Sequence, residues 1–206
     1  MEYLKTLFFD TCHTFTKNDK LVTTLWVEII TKYSSPKRHY HTLTHVNHLI
    51  KELSEVKNQF SDWPIVVLSA FYYDFIYDTL RKNNEEKSAN AARKKLILLG
   101  CSPEKIINCY NLILATQHHN DKGNNEINYF TDADLAILGS NEHLYLDYAK
   151  SIRKEYFIYP DIVYNSGRKK VITHFLEMSS IFKTEHFKLK YEIQARINLK
   201  NELINY

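Results

Sequence analysis

Apolar residues return at intervals of three and four along nearly the whole chain. Val46, Leu49, Ile50 and Leu53 form one such set, and Ile106, Ile107, Tyr110, Ile113 and Leu114 another. That period matches the turn of an α-helix and lays each set along one face, where a core can cover it. Breaks in the pattern are few: four glycines and four prolines in 206 residues, falling between the periodic stretches rather than clustering into a linker. A sheet protein with many turns needs more of both. The spacing predicts helices over about 4–16, 20–33, 42–58, 63–77, 84–99, 103–119, 142–156, 161–180 and 185–204. The polar stretch Asp121 to Asn128 reads as a surface loop, and Thr131 to Gly139 as a short helical turn. Ser102-Pro103-Glu104 reads as an N-cap with proline in the first turn, and Gly100 falls where the preceding helix needs a left-handed end. The fold class expected is all-α: one compact helical bundle over 1–206, its core at about 38–140 and the helices of 142–206 packed on it.

Composition limits what such a bundle does. Glu2, Lys5 and Asp10 interrupt the N-terminal apolar residues, so no signal-peptide core is read there, and no stretch reaches membrane-spanning length. Cys12, Cys101 and Cys109 form an odd, widely spaced set without a CxxC, which suits a reducing compartment; the expected location is the cytoplasm, with no membrane partner. A net charge of +3 is too small to mark a nucleic-acid binder. The Lys169-Lys170 pair and the lysines of Lys183 to Lys190 read as solvated helix faces. Fifteen tyrosines and eleven phenylalanines lie mainly at helical spacing with aliphatics, as core. Aromatic residues without a basic groove give no nucleic-acid signal.

The histidines are crowded. His39, His41, His45 and His48 fall within ten residues, and His118 and His119 are adjacent. On a helix, His41, His45 and His48 share one face and direct their imidazoles toward a common point. Carboxylates occur at similar leverage in Asp74 and Asp78, four apart, and in Asp132 and Asp134. Imidazole and carboxylate together suit a divalent cation such as Zn, Mn, Fe, Mg or Co with open positions for water and phosphate oxygens.

Read from N to C, the order is Arg38-His39-Tyr40-His41-Thr42-Leu43-Thr44-His45, then Ala70-Phe71-Tyr72-Tyr73-Asp74, then Ala115-Thr116-Gln117-His118-His119, and finally Asp132-Ala133-Asp134-Leu135. This order resembles the H…HD…H…D ligand sequence of the HD-domain superfamily, and in particular the small bacterial predicted metal-dependent HD phosphohydrolases. The likeness runs from about Arg38 to Leu203 and includes Asn84-Glu85-Glu86-Lys87-Ser88-Ala89, Ile152-Arg153-Lys154-Glu155-Tyr156, Gly167-Arg168 and the segment from Glu192 to Leu199. The resemblance implies an HD-type bundle holding one divalent metal ion on His45, Asp74, His119 and Asp134, with His41, His118 and Asp132 as alternative ligands. It further implies that Asp74 tunes the attacking water, that Glu85 orients it, and that Arg38 offsets charge on the substrate phosphate. Tyr73, Arg153 and Arg168 stand beside Arg38 as substrate-binding candidates. The implied substrate is a small phosphorylated molecule such as a nucleotide. The oligomeric state is left open.

One position departs from the pattern. Tyr73 stands where the family carries the histidine of its His-Asp pair. A phenol titrating near about 10 is a poor ligand for a divalent ion at neutral pH, whereas neutral imidazole is a good one. Three outcomes stay open at this point: a weaker single-metal site, a repositioned ligand such as His41 or His118, or a metal-free pocket that still binds a phosphorylated molecule. The last of these is a non-catalytic HD-like protein that binds a nucleotide or a protein partner.

Overall fold

Ten α-helices and two short 3-10 turns build the computed structural model, which describes residues 2–117 and 123–205; no strand occurs among the described residues. In chain order the helices are α1 (Glu2–His13), α2 (Asp19–Tyr33), α3 (Leu43–Glu55), α4 (Trp63–Tyr72), α5 (Asn84–Leu99), α6 (Pro103–Ala115), α7 (Asn125–Leu135), α8 (Glu142–Glu155), α9 (Asp161–Glu177) and α10 (Glu185–Ile204). The all-helical expectation holds. The chain divides into two compact units, residues 1–131 and 132–206, with the boundary inside α7. Among the described residues no helix is long and apolar enough to cross a membrane.

Local chemistry sets the helix ends. Asn18, Asp62 and Asn141 each accept a hydrogen bond from the backbone N–H three residues on, at 3.0, 3.2 and 3.1 Å, which satisfies a donor the first turn would otherwise orphan. Gly100 ends α5 at φ +82°, its own N–H on Ile97 O and that of Cys101 on Leu96 O. Only glycine takes that left-handed turn without strain. Two expectations are corrected. Helix α4 stops at Tyr72 rather than near 77, because its continuation is captured elsewhere: Arg38 binds Phe75 O, Ser88 exchanges hydrogen bonds with Ile76, and Asn84 does the same with Asp78. The polar stretch read as a loop to Asn128 is helical from Asn125. Asn124 accepts from Ile127 N–H at 3.2 Å, and Glu126 accepts from Ser61 N–H at 2.9 Å. Asp121 and Lys122, in the same expected loop, lie outside the described residues.

In the first unit α4 is the central element, packed against α1, α3, α5 and α6, and every residue from Ile65 to Tyr72 is buried. Phe8, Trp26 and Phe71 meet with ring centroids 5.1 to 6.2 Å apart, and the Tyr33 hydroxyl donates to Phe71 O at 3.1 Å. Cys12, Cys101 and Cys109 are buried free thiols. Burial pushes Cys12 and Cys109 up to about 12 and Cys101 to about 11, so they stay protonated and unreactive at neutral pH.

The second unit packs α10 against α9 and against the 3-10 turn Ala136–Gly139. Gly139 lies on Tyr191 so closely that a Cβ there would fall 2.5 Å from the Tyr191 Cβ and 2.6 Å from its carbonyl oxygen. Asn198 of α10 donates to Leu138 O and Ser140 O at 2.9 and 2.8 Å, holding the same turn. Fully buried Asp132 accepts from the backbone N–H groups of Lys183 and Thr184, the Thr184 hydroxyl and the Lys183 ammonium, at 2.7 to 3.0 Å. Glu202 takes two hydrogen bonds from Arg168, at 2.8 and 2.9 Å, and a third from the Tyr145 hydroxyl.

Candidate functional site

The site residues of the first unit gather where the loop before α3 meets the turn after α4. Arg38 joins the two. Its buried guanidinium donates Nη1 to His41 O and Nη2 to Phe75 O, each at 3.1 Å, and lies over the rings of Tyr33 and Tyr77 at 4.7 and 5.5 Å. Two main-chain acceptors and two aromatic faces are what a planar, delocalised cation satisfies and an ammonium does not. The residue read as a phosphate binder therefore also fixes the backbone that carries the histidines.

Helix α3 begins only at Leu43, capped by Thr42, so His41 precedes the helix and the expected face of three histidines is not formed. His45, in the first turn, is buried; His39 and His48 are exposed. The His45 ring packs 4.3 Å from Tyr40 and 5.8 Å from both His41 and Tyr73. His41 in turn stacks on Tyr77 at 4.1 Å. Two of the crowded histidines thus meet inside an aromatic enclosure, and the phenol of Tyr73, buried and edge-on to Phe130, forms one wall of it. Tyr40 and Tyr77 are contributors that the ligand pattern did not single out, although the alternation of tyrosine and histidine from His39 to His41 was a visible signal.

Asp74 follows Tyr73 in the turn beyond α4, so the four-residue spacing to Asp78 does not place the two on one helical face. Their situations differ. Asp78 accepts from Leu80 N–H and Arg81 Nε at 3.0 and 2.9 Å, and the Leu80 bond first, then Arg81, hold its carboxyl below the usual range. Asp74 is half-buried, and no described residue donates a hydrogen bond or ion pair to its carboxylate. Glu85, half-buried in the first turn of α5, sits between Asn84 and Ser88, the two residues that pin the turn carrying Asp74.

The remaining candidates belong elsewhere. His118 and His119 lie outside the described residues. Asp134 is half-buried in the second unit. Asp132, the alternative ligand, is committed to the start of α10 by the donors already named. Arg153 donates to Asp161 at 2.6 Å and to Tyr156 O and Tyr159 O at 2.9 and 3.1 Å, with its guanidinium over Tyr164. Arg168 is committed to Glu202 and Tyr148. Both arginines hold together the second unit.

A divalent cation fits this donor chemistry at two positions, the imidazole of His45 and the open carboxylate of Asp74, and does not fit the phenol at Tyr73. Among the described residues no group of three or more His, Cys, Asp or Glu side chains is arranged to hold a metal ion. No protein-family model, no curated protein and no solved structure matches the chain.

Proposed function

We propose that this protein is a metal-dependent phosphohydrolase of the HD type, acting on a nucleotide or another small phosphorylated metabolite. The observation that carries the reading is the carboxylate of Asp74: half-buried, without a donor among the described residues, and next in sequence to the tyrosine that packs on buried His45. A carboxylate with no donor from the described residues keeps its oxygens available to a divalent cation. A divalent ion bound there supplies a lowered water pKa and polarises a phosphoryl oxygen. In this reading His45 and Asp74 are the metal ligands of the first unit. Glu85 orients water, and Arg38 sets the loop geometry while contributing positive charge.

A second reading has its own support. Tyr73 occupies the histidine position, and its ring, with Tyr40 and His41, encloses His45 in aromatic surface. That enclosure favours a pocket that binds a phosphorylated molecule without turning it over.

One experiment separates them. Protein purified without chelator is analysed for Mn, Fe, Co, Zn and Mg, then assayed against a panel of nucleotides and phosphate esters. Stoichiometric metal with turnover supports the enzyme; nucleotide affinity without metal or turnover supports the binder. Tyr73→His is expected to raise divalent-metal affinity, on the order of the 10- to 100-fold that a supporting residue commonly controls. No gain in a calorimetric titration counts against the ligand assignment.

A further inference from the structure

Helix α10 is apolar on the wrong side. Its inward face carries Phe187, Ala195 and Leu199 but also Asn198 and Glu202, both buried and both hydrogen-bonded. Its outward face carries Leu189, Ile193, Ile197 and Ile204, which are 79%, 77%, 45% and 82% exposed. At 100° per residue these four lie within one stripe about 80° wide, diametrically opposite the buried face. A helix with two opposed apolar faces is a helix with a layer on each side, and among the described residues nothing covers the outward one.

We propose that this stripe is the isologous interface of a homodimer, in which α10 of one copy pairs antiparallel with α10 of a second about a two-fold axis near Ile197. The area suits it. The four side chains expose the equivalent of nearly three whole aliphatic residues per copy. With the stems of flanking residues, two copies bury roughly 1,000 Å² or more, where specific interfaces begin. The order suits it too. Reversing the helix about Ile197 lays Leu189 near Ile204 of the second copy and Ile197 against its own counterpart, so aliphatic meets aliphatic at the centre and both ends of about 22 Å.

Lys200, the one charge within the stripe, then falls beside Ile193 of the second copy, where its stem lies flat and its ammonium reaches the rim. A parallel pair in register would set Lys200 against Lys200, a like-charge contact that costs affinity. A lipid surface is the less favoured occupant. Interfacial helices carry a one-sign basic flank, whereas the flanks here mix Glu185 and Glu192 with Lys190 and Arg196.

Sedimentation equilibrium of the full chain across the micromolar range tests the pairing. The expected result is a reversible dimer, with Ile197→Glu raising its dissociation constant about 100-fold or more, because the two-fold axis sets the two new carboxylates against each other. Helical circular dichroism of the variant confirms that it folds. Ile197→Cys is expected to form a disulfide-linked dimer under air oxidation, against a low background because the three native thiols are buried. Three results overturn the proposal: a wild-type chain that stays monomeric throughout, an Ile197→Glu variant that still dimerises, or Leu189→Cys linking to itself faster than Ile197→Cys. Binding of a monomeric chain to phosphatidylglycerol vesicles, abolished by Ile197→Glu, also overturns it and assigns the stripe to lipid.

Discussion

Helices α4 and α10 occupy comparable places in their units and are stabilised by different physics. In α4 every residue from Ile65 to Tyr72 is buried and nearly all are apolar; of the two hydroxyls, that of Ser69 is returned to Ile65 O at 2.8 Å and that of Tyr72 is buried. Burial on all sides is the ordinary hydrophobic solution. In α10 the inward face is braced by directed bonds: Asn198 to the 3-10 turn, Glu202 to Arg168 and Tyr145, and Glu192 to the N–H groups of Ile181 and Phe182 and to Arg196 Nε. A small unit without enough apolar surface facing inward gains its geometry from hydrogen bonds. Such bonds specify structure well, and a missing partner is expensive.

The largest expected effects test that contrast directly. Phe71→Ala removes a ring from the centre of the first unit and should cost about 3–5 kcal/mol. Asp132→Ala strips the buried acceptor from Lys183 and Thr184 and should cost about the same, because breaking a buried pair strands the remaining charge. The two should be distinguishable by probe, since both tryptophans, Trp26 and Trp63, lie in the first unit. In urea, Phe71→Ala should shift the fluorescence transition, and Asp132→Ala should lose part of the far-ultraviolet dichroism before the fluorescence changes. Coincident transitions in Asp132→Ala would mean that the two units unfold as one.

A sharper version replaces the buried charge rather than orphaning it. Arg168→Met, Glu202→Leu and Tyr145→Phe together remove the buried ion pair and the hydroxyl that bonds Glu202, and leave apolar bulk. Substitution of a buried ion pair by packed hydrophobes is commonly neutral, or stabilising by about 1–4 kcal/mol. A triple variant as stable as the parent, set against a strongly destabilised Arg168→Ala, would show that the charges specify the unit without adding net stability. Triple-variant destabilisation equal to that of Arg168→Ala would show that they stabilise it.

Smaller is the effect at Gly139. An alanine methyl meets Tyr191 Cβ, carbonyl oxygen and Cα at 2.5, 2.6 and 2.9 Å, and two of those atoms are backbone that cannot swing aside. Moving α10 off the turn should cost about 1–3 kcal/mol, read as a lowered urea midpoint in dichroism. Gly167→Ala, with open space around it, should cost nothing.

The parts of the fold written in local sequence were legible. The helical period, the Ser102-Pro103 start and the Gly100 stop depend on neighbours within a few residues, and the chain carries them openly. What was not legible depends on residues far apart. Nothing near Tyr73 says that α4 ends there; Arg38 does it by donating to Phe75 O, and Asn84 and Ser88 by exchanging hydrogen bonds with Asp78 and Ile76. Likewise, the polar run from Asp121 to Asn128 looks like a loop until Glu126 finds Ser61. At the site, the crowding of histidines was visible, but the phase of α3 was not: with Thr42 as cap, His41 stands outside the helix and His48 faces away. Asp132 and Asp134 are equivalent in sequence, and only long-range contacts reveal that Asp132 serves the start of α10.

The last prediction acts on the first unit and has no effect at neutral pH. Cys12, Cys101 and Cys109 have an ordinary value of 9.0 and are pushed by burial to about 12, 11 and 12 in the fold. Below pH 9 both folded and unfolded chains hold these protons and the thiols add no pH dependence. Above it the unfolded chain releases protons that the native state retains, so the native state binds more of them and stability falls as pH rises. The decline should continue until the folded thiols themselves ionise. In the second unit Tyr145 is pushed upward by burial and by Glu202, but from an ordinary value of 10.0, so its share of the decline begins later. Thermal unfolding followed by tryptophan fluorescence should therefore show a melting temperature that is flat to about pH 9 and falls beyond it. Cys109→Ala, which removes the most enclosed of the three thiols, should make that fall shallower while leaving the dichroism transition of the second unit where it was.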